Sequence, residues 1–583
     1  GSGQTVYVRN WLEKQVSEAL VRAFGDEVKD AAALVTAATK PEFGDYQCNA
    51  ALPLAKTLKS KPRDVAVKLL EELKPALADY FEDIEIAGPG FLNLRFKPDY
   101  IAGRLSNMVA DEERLGIPKA DSPNRVVVDF SSPNIAKEMH VGHLRSTIIG
   151  DTLSRLEEFL GHDVLRLNHV GDWGTQFGML INHLKTAYPD FNENPPNISD
   201  LTGFYKQAKV RFDEDEGFKK ASQLAVVTLQ GGDEESLKCW KTLCDVSRLQ
   251  FKMVYDRLQI SGLFEQGESF YNSRIPEVVK GLEAQGLVED SDGAKVIYCG
   301  KPCPLMAVKS DGGYGYDSTD LAAVKYRLHE MKANRVIYVT DAGQGEHFDM
   351  IFIAARKAGW VADGARLDHV PFGLVLGQDK KKFKTRSGEV TKLVDLLDEA
   401  VVNARKQLEE RAATEGSTSQ MTPEDVAEAA NRIGYGCVKY ADLKQHRISD
   451  YVFSYEKMLD LKGNTAVYLM YSYVRIKSIA KKAGVDEAAL KDVAPSVTHP
   501  KEYLLVTHIL KFPEVLERVC DLLLPHLICE FLYETAEKFN EFYRECKVVG
   551  DPLQNQRLVI CEGVASVMRQ ALWILGITPV DKL

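Results

Sequence analysis

The chain has 583 residues, a length that predicts roughly three or four domains at about 150 residues each. Because 45% of its residues are hydrophobic, large cores are possible and a chain disordered throughout is excluded. The formal net charge of -11 argues against a protein that coats nucleic acid over its whole surface, but it leaves room for an RNA held by local basic surfaces.

Cysteine usage and hydropathy argue against two further classes. The ten cysteines are scattered without the paired spacing of zinc sites, so we expect reduced thiols in a cytoplasmic protein without zinc or an organic cofactor. No apolar run approaches the about 20 residues that a membrane-spanning helix needs. The first three residues are typical of an expression remnant, and no targeting peptide follows them.

Residues 1–122 predict a separate α+β domain. Val8 to Phe24 has the pattern of an amphipathic helix. Ile84 to Phe96 alternates apolar and polar residues around Gly88-Pro89-Gly90, which predicts a β-hairpin. A polar stretch, residues 121–124, then predicts a linker.

Residues 123–392 have the pattern of a Rossmann-like parallel sheet. The strand Val126–Val128 precedes a helix predicted from Ser146 to Leu160, and further strands are predicted at 164–167, 335–340 and 374–376. A polar, mostly helical insertion is predicted at about residues 185–303. Residues 393–583 are almost wholly helical in pattern and predict an all-α bundle.

A polar turn joins the first strand of this sheet to its helix. A strand, a polar turn and a helix N-terminus form the usual phosphate site of a parallel α/β sheet. His140 and His143 stand there with Gly142 between them. Imidazoles can donate hydrogen bonds to phosphate oxygens, and glycine lets a ligand approach the backbone closely. The turn therefore predicts a nucleotide site that lacks the lysine loop of a P-loop enzyme.

A basic run, Lys380 to Gly388, follows the last predicted strand. Alone, such a run is more often a solvated surface. At the same edge of the sheet as the two histidines, it becomes a candidate clamp on a triphosphate. Lysines there would neutralise the charge that develops as pyrophosphate leaves.

The histidine turn and the basic run resemble the two signature motifs of class I aminoacyl-tRNA synthetases. Further runs are similar to the arginyl-tRNA synthetase family in particular, and they extend over essentially the whole chain. These runs are residues 43–46, 87–91, 131–147, 168–178, 311–320, 383–386 and 439–443.

The resemblance implies an activity in two steps. Arginine and ATP, accompanied by Mg²⁺, give arginyl-adenylate and pyrophosphate, and a ribose hydroxyl of the terminal adenosine of tRNA then takes the arginyl group. In this family the first step also requires bound tRNA. Catalysis is positioning and charge stabilisation without a side-chain nucleophile.

The resemblance also implies residue roles around ATP. His140, His143, Lys137, Lys384 and Arg386 are the implied catalytic residues, and the implied ATP contacts add Gly142 and Lys382. This chain has Thr385 where most class I enzymes have a lysine. The family supplies that charge from the position of Lys137; the alternative is a solvated turn lysine.

An arginine pocket must supply carboxylates, because an unpaired buried guanidinium would cost several kcal/mol. Asp129, at the end of the first strand, and Asp320, on a predicted helix, are candidates, and a Tyr316 ring one turn before Asp320 could cover the guanidinium. Each candidate also has a purely structural alternative. Asp129 could cap a helix or turn, and Tyr316 could pack in the core. Gln344, which the resemblance implies at the backbone end of arginine, could instead lie on the surface. By resemblance the pocket comprises Asp129, Ser132, Pro133, Asn134, His143, Tyr316, Asp320 and Gln344.

For the tRNA, the family uses a C-terminal bundle at the anticodon loop and the N-terminal domain at the elbow. Tyr471 and Arg475 share a predicted helical face on which rings lie beside basic groups, an arrangement that suits unstacked bases. Core tyrosines with a solvated basic edge are the alternative. The insertion is too short for a large editing domain, and buried charge discriminates without one. We expect a monomer, with association in a multi-synthetase complex left open.

Two rival functions are compatible with some of these sequence features. One is a different class I synthetase or a small nucleotidylyltransferase on the same sheet, which would not bury carboxylates for its substrate. The other is a catalytically inactive relative that serves as a scaffold or RNA binder. Retention of both histidines and of the basic run argues against the second rival.

Overall fold

The computed structural model describes residues 6–194, 200–381, 383, 391–414 and 421–583. None of the helices among these residues is both long and apolar enough to cross a bilayer. The chain divides into two compact units. The terminal unit comprises the chain up to Lys119, Lys462–Trp573 and Pro579–Leu583, and the sheet unit comprises Ala120–Leu461 and Ile574–Thr578.

The N-terminal part of the terminal unit is an antiparallel sheet with four helices, in the strand order β1-β2-β4-β3. The predicted hairpin is confirmed, since β3 and β4 pair from Glu85↔Asn93 to Ala87↔Phe91. Gly90 has a φ of 137°, and a Cβ there would lie 2.9 Å from the Pro62 carbonyl oxygen, so the tight turn requires glycine. The elements are α1 (Val8–Phe24), β1 (Val35–Ala37), β2 (Tyr46–Cys48), α2 (Ala51–Thr57), α3 (Pro62–Leu77), β3 (Glu85–Ala87), β4 (Phe91–Leu94) and α4 (Pro98–Ala110).

The sheet unit is built on five parallel strands in the order β12-β11-β5-β6-β7. Val126, Val127 and Val128 of the central strand are fully buried, as expected for a parallel sheet covered on both faces. The predicted Rossmann-like fold is confirmed. The strands of the unit are β5 (Arg125–Asp129), β6 (Asp163–Asn168), β7 (Leu263–Glu265), β8 (Glu289–Ser291), β9 (Ala294–Ile297), β10 (Leu305–Val308), β11 (Arg335–Asp341), β12 (Arg366–Phe372), β13 (Val375–Leu376) and β14 (Tyr451–Val452).

Helices connect these strands and surround the sheet. The helix after β5 carries buried residues along nearly its whole length, because the sheet and two later helices pack around it. The helices are α5 (Val141–Phe159), α6 (Gln176–Ala187), α7 (Leu201–Glu214), α8 (Glu216–Gln230), α9 (Glu234–Arg257), α10 (Glu268–Asn272), α11 (Ile275–Ala284), α12 (Tyr316–His329), α13 (Gly345–Lys357), α14 (Leu393–Thr414), α15 (Pro423–Leu443) and α16 (Tyr455–Met458).

The C-terminal part of the terminal unit is helical, as predicted. The Tyr46 hydroxyl donates a 2.7 Å hydrogen bond to Glu514, so the two ends of the chain pack together within this unit. Its helices are α17 (Ala466–Lys482), α18 (Pro500–Ile509), α19 (Phe512–Leu522), α20 (His526–Glu545) and α21 (Gln554–Ile574).

The structure differs from the sequence prediction in four places. Strand β7 lies inside the predicted insertion but extends the main sheet beside β6, and three residues are too short to give an alternation signal. Strand β12 was not predicted, and α5 begins at Val141 rather than at Ser146. Residues 393–461, predicted as part of the C-terminal domain, belong to the sheet unit. The boundaries of three separate domains remain a prediction.

Candidate active site

The turn after β5 has an unusual backbone. Ser131, Ser132 and Ala136 have φ values of 71°, 50° and 68°, a region that costs a non-glycine residue roughly 1 kcal/mol or more. Side-chain oxygens of other elements hold the turn by accepting its amide hydrogens. These hydrogen bonds run from Ser131 N to Ser146 Oγ (2.9 Å), from Ser132 N to Asn168 Oδ1 (2.9 Å) and from Ala136 N to Ser247 Oγ (2.8 Å).

The two histidines stand at the N-terminus of α5. His140 is its N-cap, and the His140 and His143 rings lie 4.3 Å apart between centroids. A Cβ at Gly142 would lie 2.8 Å from His140 Cε1, so a larger residue there would displace the His140 ring from this position. The capping role explains why the helix starts earlier than its apolar pattern predicts.

Each imidazole accepts a backbone N–H through Nδ1. His140 Nδ1 accepts from Gly142 (3.0 Å), and His143 Nδ1 accepts from His140 (3.2 Å). A ring nitrogen that accepts a hydrogen bond carries no proton, so Nε2 is the protonated atom of each ring. Burial, and then the neighbouring His140, lowers the pKa of His143 to about 3, which keeps this ring neutral at pH 7. Each ring thus presents an Nε2–H donor.

The basic run is described only in part. Lys382, Lys384 and Arg386, three of the predicted phosphate ligands, lie outside the described residues, as does Thr385. On the far side of these residues, Lys392 forms an antiparallel bridge with His140. The end of the segment that carries the basic run therefore lies directly beside the histidine turn.

Lys137 lies in the same turn and is exposed. Its Nζ atom is 5.7 Å from the centroid of the Tyr205 ring, which belongs to α7. A cation over an aromatic face gains about 0.5–1 kcal/mol at exposed sites, which is too little to prevent its transfer to a phosphate.

Asp320 lies on α12 in an acidic cluster with a histidine. His347 Nε2 is 2.6 Å from Asp320 Oδ2, and His347 Nδ1 is 2.9 Å from Asp317 Oδ1. Burial alone would lower the pKa of His347, but the hydrogen bonds to Asp317 and Asp320 raise it to about 9. The ring is therefore an imidazolium at pH 7 and balances one of the two carboxylates.

Asp129 has an ion-pair partner within the chain. Arg327 Nη1 lies 2.7 Å from Asp129 Oδ2, and both side chains are buried. The other carboxylate oxygen, Oδ1, accepts a 3.0 Å hydrogen bond from Ser132 Oγ. Arg327 also lies 3.4 Å from His169 Nδ1, and His169 Nε2 is 3.9 Å from Asp320 Oδ1. A polar chain thus links Asp129 to the acidic cluster.

Glu268, the first residue of α10, is a candidate that the sequence analysis missed. Burial, and then the charges of Asp320 and Asp172, raises the pKa of its carboxyl to about 8. In the described part of the chain this carboxyl has neither a hydrogen bond nor an ion pair. The sequence alone gives no signal for it, because β7, which ends three positions before Glu268 at the same sheet edge as β5 and β6, is too short to show an alternation pattern.

Asp172 fixes the position of this helix. Its carboxylate accepts hydrogen bonds from the Ser269 backbone N–H (2.8 Å) and the Ser269 hydroxyl (2.7 Å). A Cβ at Gly267 would lie 2.5 Å from the Val170 carbonyl oxygen, so α10 lies close against the glycine-rich turn 170–178. Both carboxylate oxygens of Asp172 therefore accept hydrogen bonds from within the protein.

The other predicted pocket residues lie around the same sheet edge. Tyr316 begins α12, one turn before Asp320 as predicted, and its exposed ring lies 5.2 Å from that of His347, which contradicts a core role. Gln344 is exposed at the N-terminus of α13. The Pro133 carbonyl oxygen accepts a 3.0 Å bond from the Gly171 N–H, and Asn134 forms a parallel bridge with Gly171.

The predicted tRNA-binding face on α17 is partly engaged by α20. Arg475 is exposed, with its guanidinium 4.9 Å from the Tyr543 ring centroid and a 3.4 Å hydrogen bond to Asn540. Tyr471 is half-buried, whereas Tyr473 is buried in the core. The core alternative therefore describes Tyr473, and a tRNA contact by Tyr471 and Arg475 remains a prediction. Within the described ranges no group of three or more His, Cys, Asp or Glu side chains could hold a metal ion.

Three family profiles match this chain. Residues 10–96 match the arginyl tRNA synthetase N terminal domain, residues 104–455 match the catalytic domain of tRNA synthetases class I (R), and residues 469–583 match the DALR anticodon binding domain.

Similar proteins and structures match over nearly the full length. The chain is 49% identical to an arginine–tRNA ligase of Synechococcus sp. and 48% identical to one of Trichodesmium erythraeum, in each case over 98% of this chain and 99% of the relative. The crystal structure of arginyl-tRNA synthetase from Plasmodium falciparum matches with a TM-score of 0.86 and 36% identity, covering 99% of both chains. The Thermus thermophilus arginyl-tRNA synthetase matches with a TM-score of 0.79 at 22% identity, covering 99% of this chain and 100% of that one.

Proposed function

As the chain belongs to the arginyl-tRNA synthetase family, we propose how its own residues carry out the reaction of an arginine–tRNA ligase. The enzyme activates arginine with ATP and transfers it to tRNA. The roles proposed below are those of individual side chains, and each is supported by the geometry of the sheet edge.

Arginine binds, in this proposal, with its guanidinium between Asp320 and Glu268. The observation that carries it is the half-buried Glu268 carboxyl, which lies near Asp320 and Asp172 without a hydrogen bond or ion pair among the described residues. A planar cation with five N–H donors would satisfy both carboxylates and keep Glu268 ionised. The exposed ring of Tyr316 would cover the guanidinium plane.

The remaining predicted pocket residues position the other end of arginine. Asp129 acts through its ion pair with Arg327, which fixes the end of β5, rather than by touching the guanidinium. Ser132, Pro133, Asn134 and His143 line the wall at the histidine turn. Gln344 holds the α-amino and carboxyl end from the N-terminus of α13.

ATP binds at the N-terminus of α5. The Nε2–H groups of His140 and His143 donate to its phosphates and ribose, and the positive end of the helix dipole favours the phosphate charge. Gly142 keeps the His140 cap in place. We propose that Lys137 leaves Tyr205 to bind phosphate and that Lys382, Lys384 and Arg386 complete the clamp, because the segment beyond them bridges His140 through Lys392.

In the first step a carboxylate oxygen of arginine forms a bond to the α-phosphorus of ATP as the bond to the pyrophosphate oxygen breaks. The electron pair leaves on pyrophosphate, where Lys137 and the basic run stabilise the charge. Mg²⁺ enters bound to the phosphates of ATP. In the second step a ribose hydroxyl oxygen of the terminal adenosine attacks the arginyl carbonyl carbon and its proton is released. The bond from that carbon to the phosphate oxygen breaks, and AMP leaves with the electron pair.

The terminal unit binds the tRNA in this proposal. Tyr471 and Arg475 contact the anticodon loop, supported by the exposed guanidinium of Arg475 next to the Tyr543 ring of α20. The N-terminal part contacts the elbow. We further propose that the enzyme works in the cytoplasm as a monomer, alone or within an assembly of synthetases, without a separate editing domain.

ATP–pyrophosphate exchange with each of the twenty amino acids, with and without arginine tRNA, tests the proposal. We expect exchange with arginine alone, dependent on tRNA, and charging of the tRNA with arginine. Strong exchange with glutamine or cysteine and none with arginine would overturn the proposed pocket. Binding of tRNA without any charging would support the scaffold alternative.

A further inference from the structure

A buried ion pair joins two of the motifs that resemble the family. Neither of its residues has a role in the proposed reaction. Arg145 lies in α5, at the next turn after the two histidines, and Asp442 lies near the end of α15. Arg145 Nε is 3.1 Å from Asp442 Oδ2, and the two side chains are 1% and 0% exposed. The ion pair therefore joins the histidine helix to a distant part of the sheet unit.

Asp442 also holds the strand β14. The Tyr451 hydroxyl donates a 2.8 Å hydrogen bond to Asp442 Oδ2. Arg145 contacts the same segment, because its Nη1 donates to the Ser449 carbonyl oxygen at 3.0 Å and its guanidinium lies 5.1 Å from the Tyr451 ring centroid. The pair thus connects α5 to β14 through both of its members.

Strand β14 is the neighbour of the strand that leads to the basic run. β13 and β14 pair in parallel through Val375↔Tyr451 and Leu376↔Val452. Beyond β13, Phe383 packs on Phe453, with ring centroids 5.2 Å apart. An unbroken set of contacts therefore runs from the histidine helix through Arg145 and Asp442 to the start of the basic run.

The contribution of this ion pair to the stability of the fold does not explain why it is present. Desolvation of two buried charges offsets most of their attraction, so apolar residues of similar volume are often as stable. The geometry is also incomplete, since Arg145 Nη2 and Asp442 Oδ1 are buried without a hydrogen-bond partner in the described part of the chain. Such a costly pair is better explained by the orientation that it imposes on the elements it joins.

We propose that Arg145 and Asp442 are positioning residues, which hold the histidine helix in register with the strand pair that leads to the basic run. This inference rests on the proposed function, because both ends of the triphosphate must be held at once for pyrophosphate to leave. Neither residue touches a substrate. Losing the pair should therefore lower the rate of adenylate formation while arginine binding is retained.

The test compares two variants of the full chain that each remove one buried carboxylate paired with an arginine. Asp442→Asn breaks the proposed link. Glu157→Gln is the matched control, because Glu157 lies on the same helix near its other end, 3.0 Å from Arg335 and away from the histidines. Kinetics of arginine-dependent ATP–pyrophosphate exchange with tRNA present are measured together with thermal unfolding.

We expect Asp442→Asn to lower kcat by about tenfold or more with KM for arginine within about twofold, whereas Glu157→Gln changes kcat by less than about twofold. Equal loss of kcat in both variants, or a kcat in Asp442→Asn within about twofold of the parent, would overturn the inference. A rise in KM for arginine as the main effect would overturn it too.

If Asp442→Asn does not fold, Tyr451→Phe decides the question, since it removes only the hydroxyl that donates to Asp442. A fall in kcat of roughly threefold or more at unchanged KM supports the inference, and an unchanged kcat overturns it. The proposed function has a separate readout. If the parent enzyme activates another amino acid, the pocket assignment fails, while the same comparison can still be made with that amino acid.

Discussion

His347 Nε2 lies 2.6 Å from Asp320 Oδ2, so the carboxylate proposed to bind the guanidinium of arginine already has a cationic neighbour within the protein. The same imidazole reaches Asp317 through Nδ1. The cluster therefore contains two carboxylates and one imidazolium before any substrate enters, and Glu268 adds a carboxyl close by. The negative charge of this cluster can therefore balance one further cation. Because His347 and Glu268 both have raised pKa values, binding of that cation should depend on pH.

Thermal stability should depend on pH through His347. The ordinary pKa of 6.5 is raised to about 9 in the folded chain by the hydrogen bonds to Asp317 and Asp320, against the effect of burial. The stabilisation is thus complete below pH 6.5 and is lost as the pH rises towards about 9. We expect the difference in melting temperature between the parent and His347→Gln to be largest at about pH 6 and smallest at about pH 9.5.

Calorimetric melting of both proteins across this range measures the difference. Glu268 titrates in the same window, but it does so in both proteins and largely cancels. A difference in melting temperature that stays constant with pH would show that His347 is not held as an imidazolium.

Arginine binding should release a proton from Glu268. Because the pKa of its free carboxyl is raised to about 8, most of the carboxyl is protonated at pH 7, and an incoming guanidinium favours the ionised form. Affinity for arginine should therefore increase with pH up to about pH 8, by at most about tenfold per pH unit. Calorimetric titration at about pH 7 in buffers of different ionisation enthalpy should show release of up to about one proton.

The variant Glu268→Gln tests whether the proton released on arginine binding comes from Glu268. It keeps the size and polarity of the side chain but cannot ionise, so both the proton release and the pH dependence should fall sharply. The same proton release in Glu268→Gln as in the parent would place the titrating group elsewhere.

Removing the charge of Asp320 should affect one substrate only. Asp320→Asn leaves a guanidinium facing an amide, and loss of a buried charged partner typically costs about 2–5 kcal/mol of binding. The proposed ATP site lies at the histidine turn instead, so the affinity for ATP should change by less than about threefold. Equilibrium binding of both ligands to the parent and the variant measures the two effects. Comparable losses for arginine and ATP would remove Asp320 from the pocket.

The parts of the fold that could be predicted from sequence have strong local signals. The run Val126–Val128 is apolar enough to mark the buried central strand, and the alternation around Gly88-Pro89-Gly90 marks the hairpin. The resemblance to the arginyl-tRNA synthetase family, carried by motifs along the chain, is confirmed by the profiles and relatives that match it. Local pattern also placed Tyr316 one turn from Asp320.

The features that sequence could not supply depend on contacts between distant residues. Asp129 was predicted to face a ligand guanidinium, and only the fold shows that it pairs with Arg327, 198 positions away. Glu268 has no motif around it, and its raised pKa arises from burial and from Asp320, which only the tertiary structure brings near. The start of α5 was missed because the cap is a histidine rather than the usual serine, threonine, aspartate or asparagine.

The packing of α5 on the sheet should make Gly150 intolerant of a single methyl group. Alanine ordinarily stabilises a helix interior by about 1 kcal/mol relative to glycine. A Cβ at Gly150, however, would lie 2.1–2.5 Å from atoms of Phe130, which is fully buried in the segment between β5 and the histidine turn. We expect Gly150→Ala to destabilise the protein by about 1–3 kcal/mol, because the packed core must shift to admit the methyl group.

Gly281→Ala is the matched control in the same unit, since Gly281 is a helical residue of α11 with nothing within 4 Å of the added Cβ. It should be neutral or stabilising by up to about 1 kcal/mol in chemical denaturation. The shift in Gly150→Ala should also lower the rate of arginine activation, because Phe130 leads into the turn that carries His140 and His143. Equal stability of the two variants would show that α5 packs less tightly on the sheet than these distances indicate.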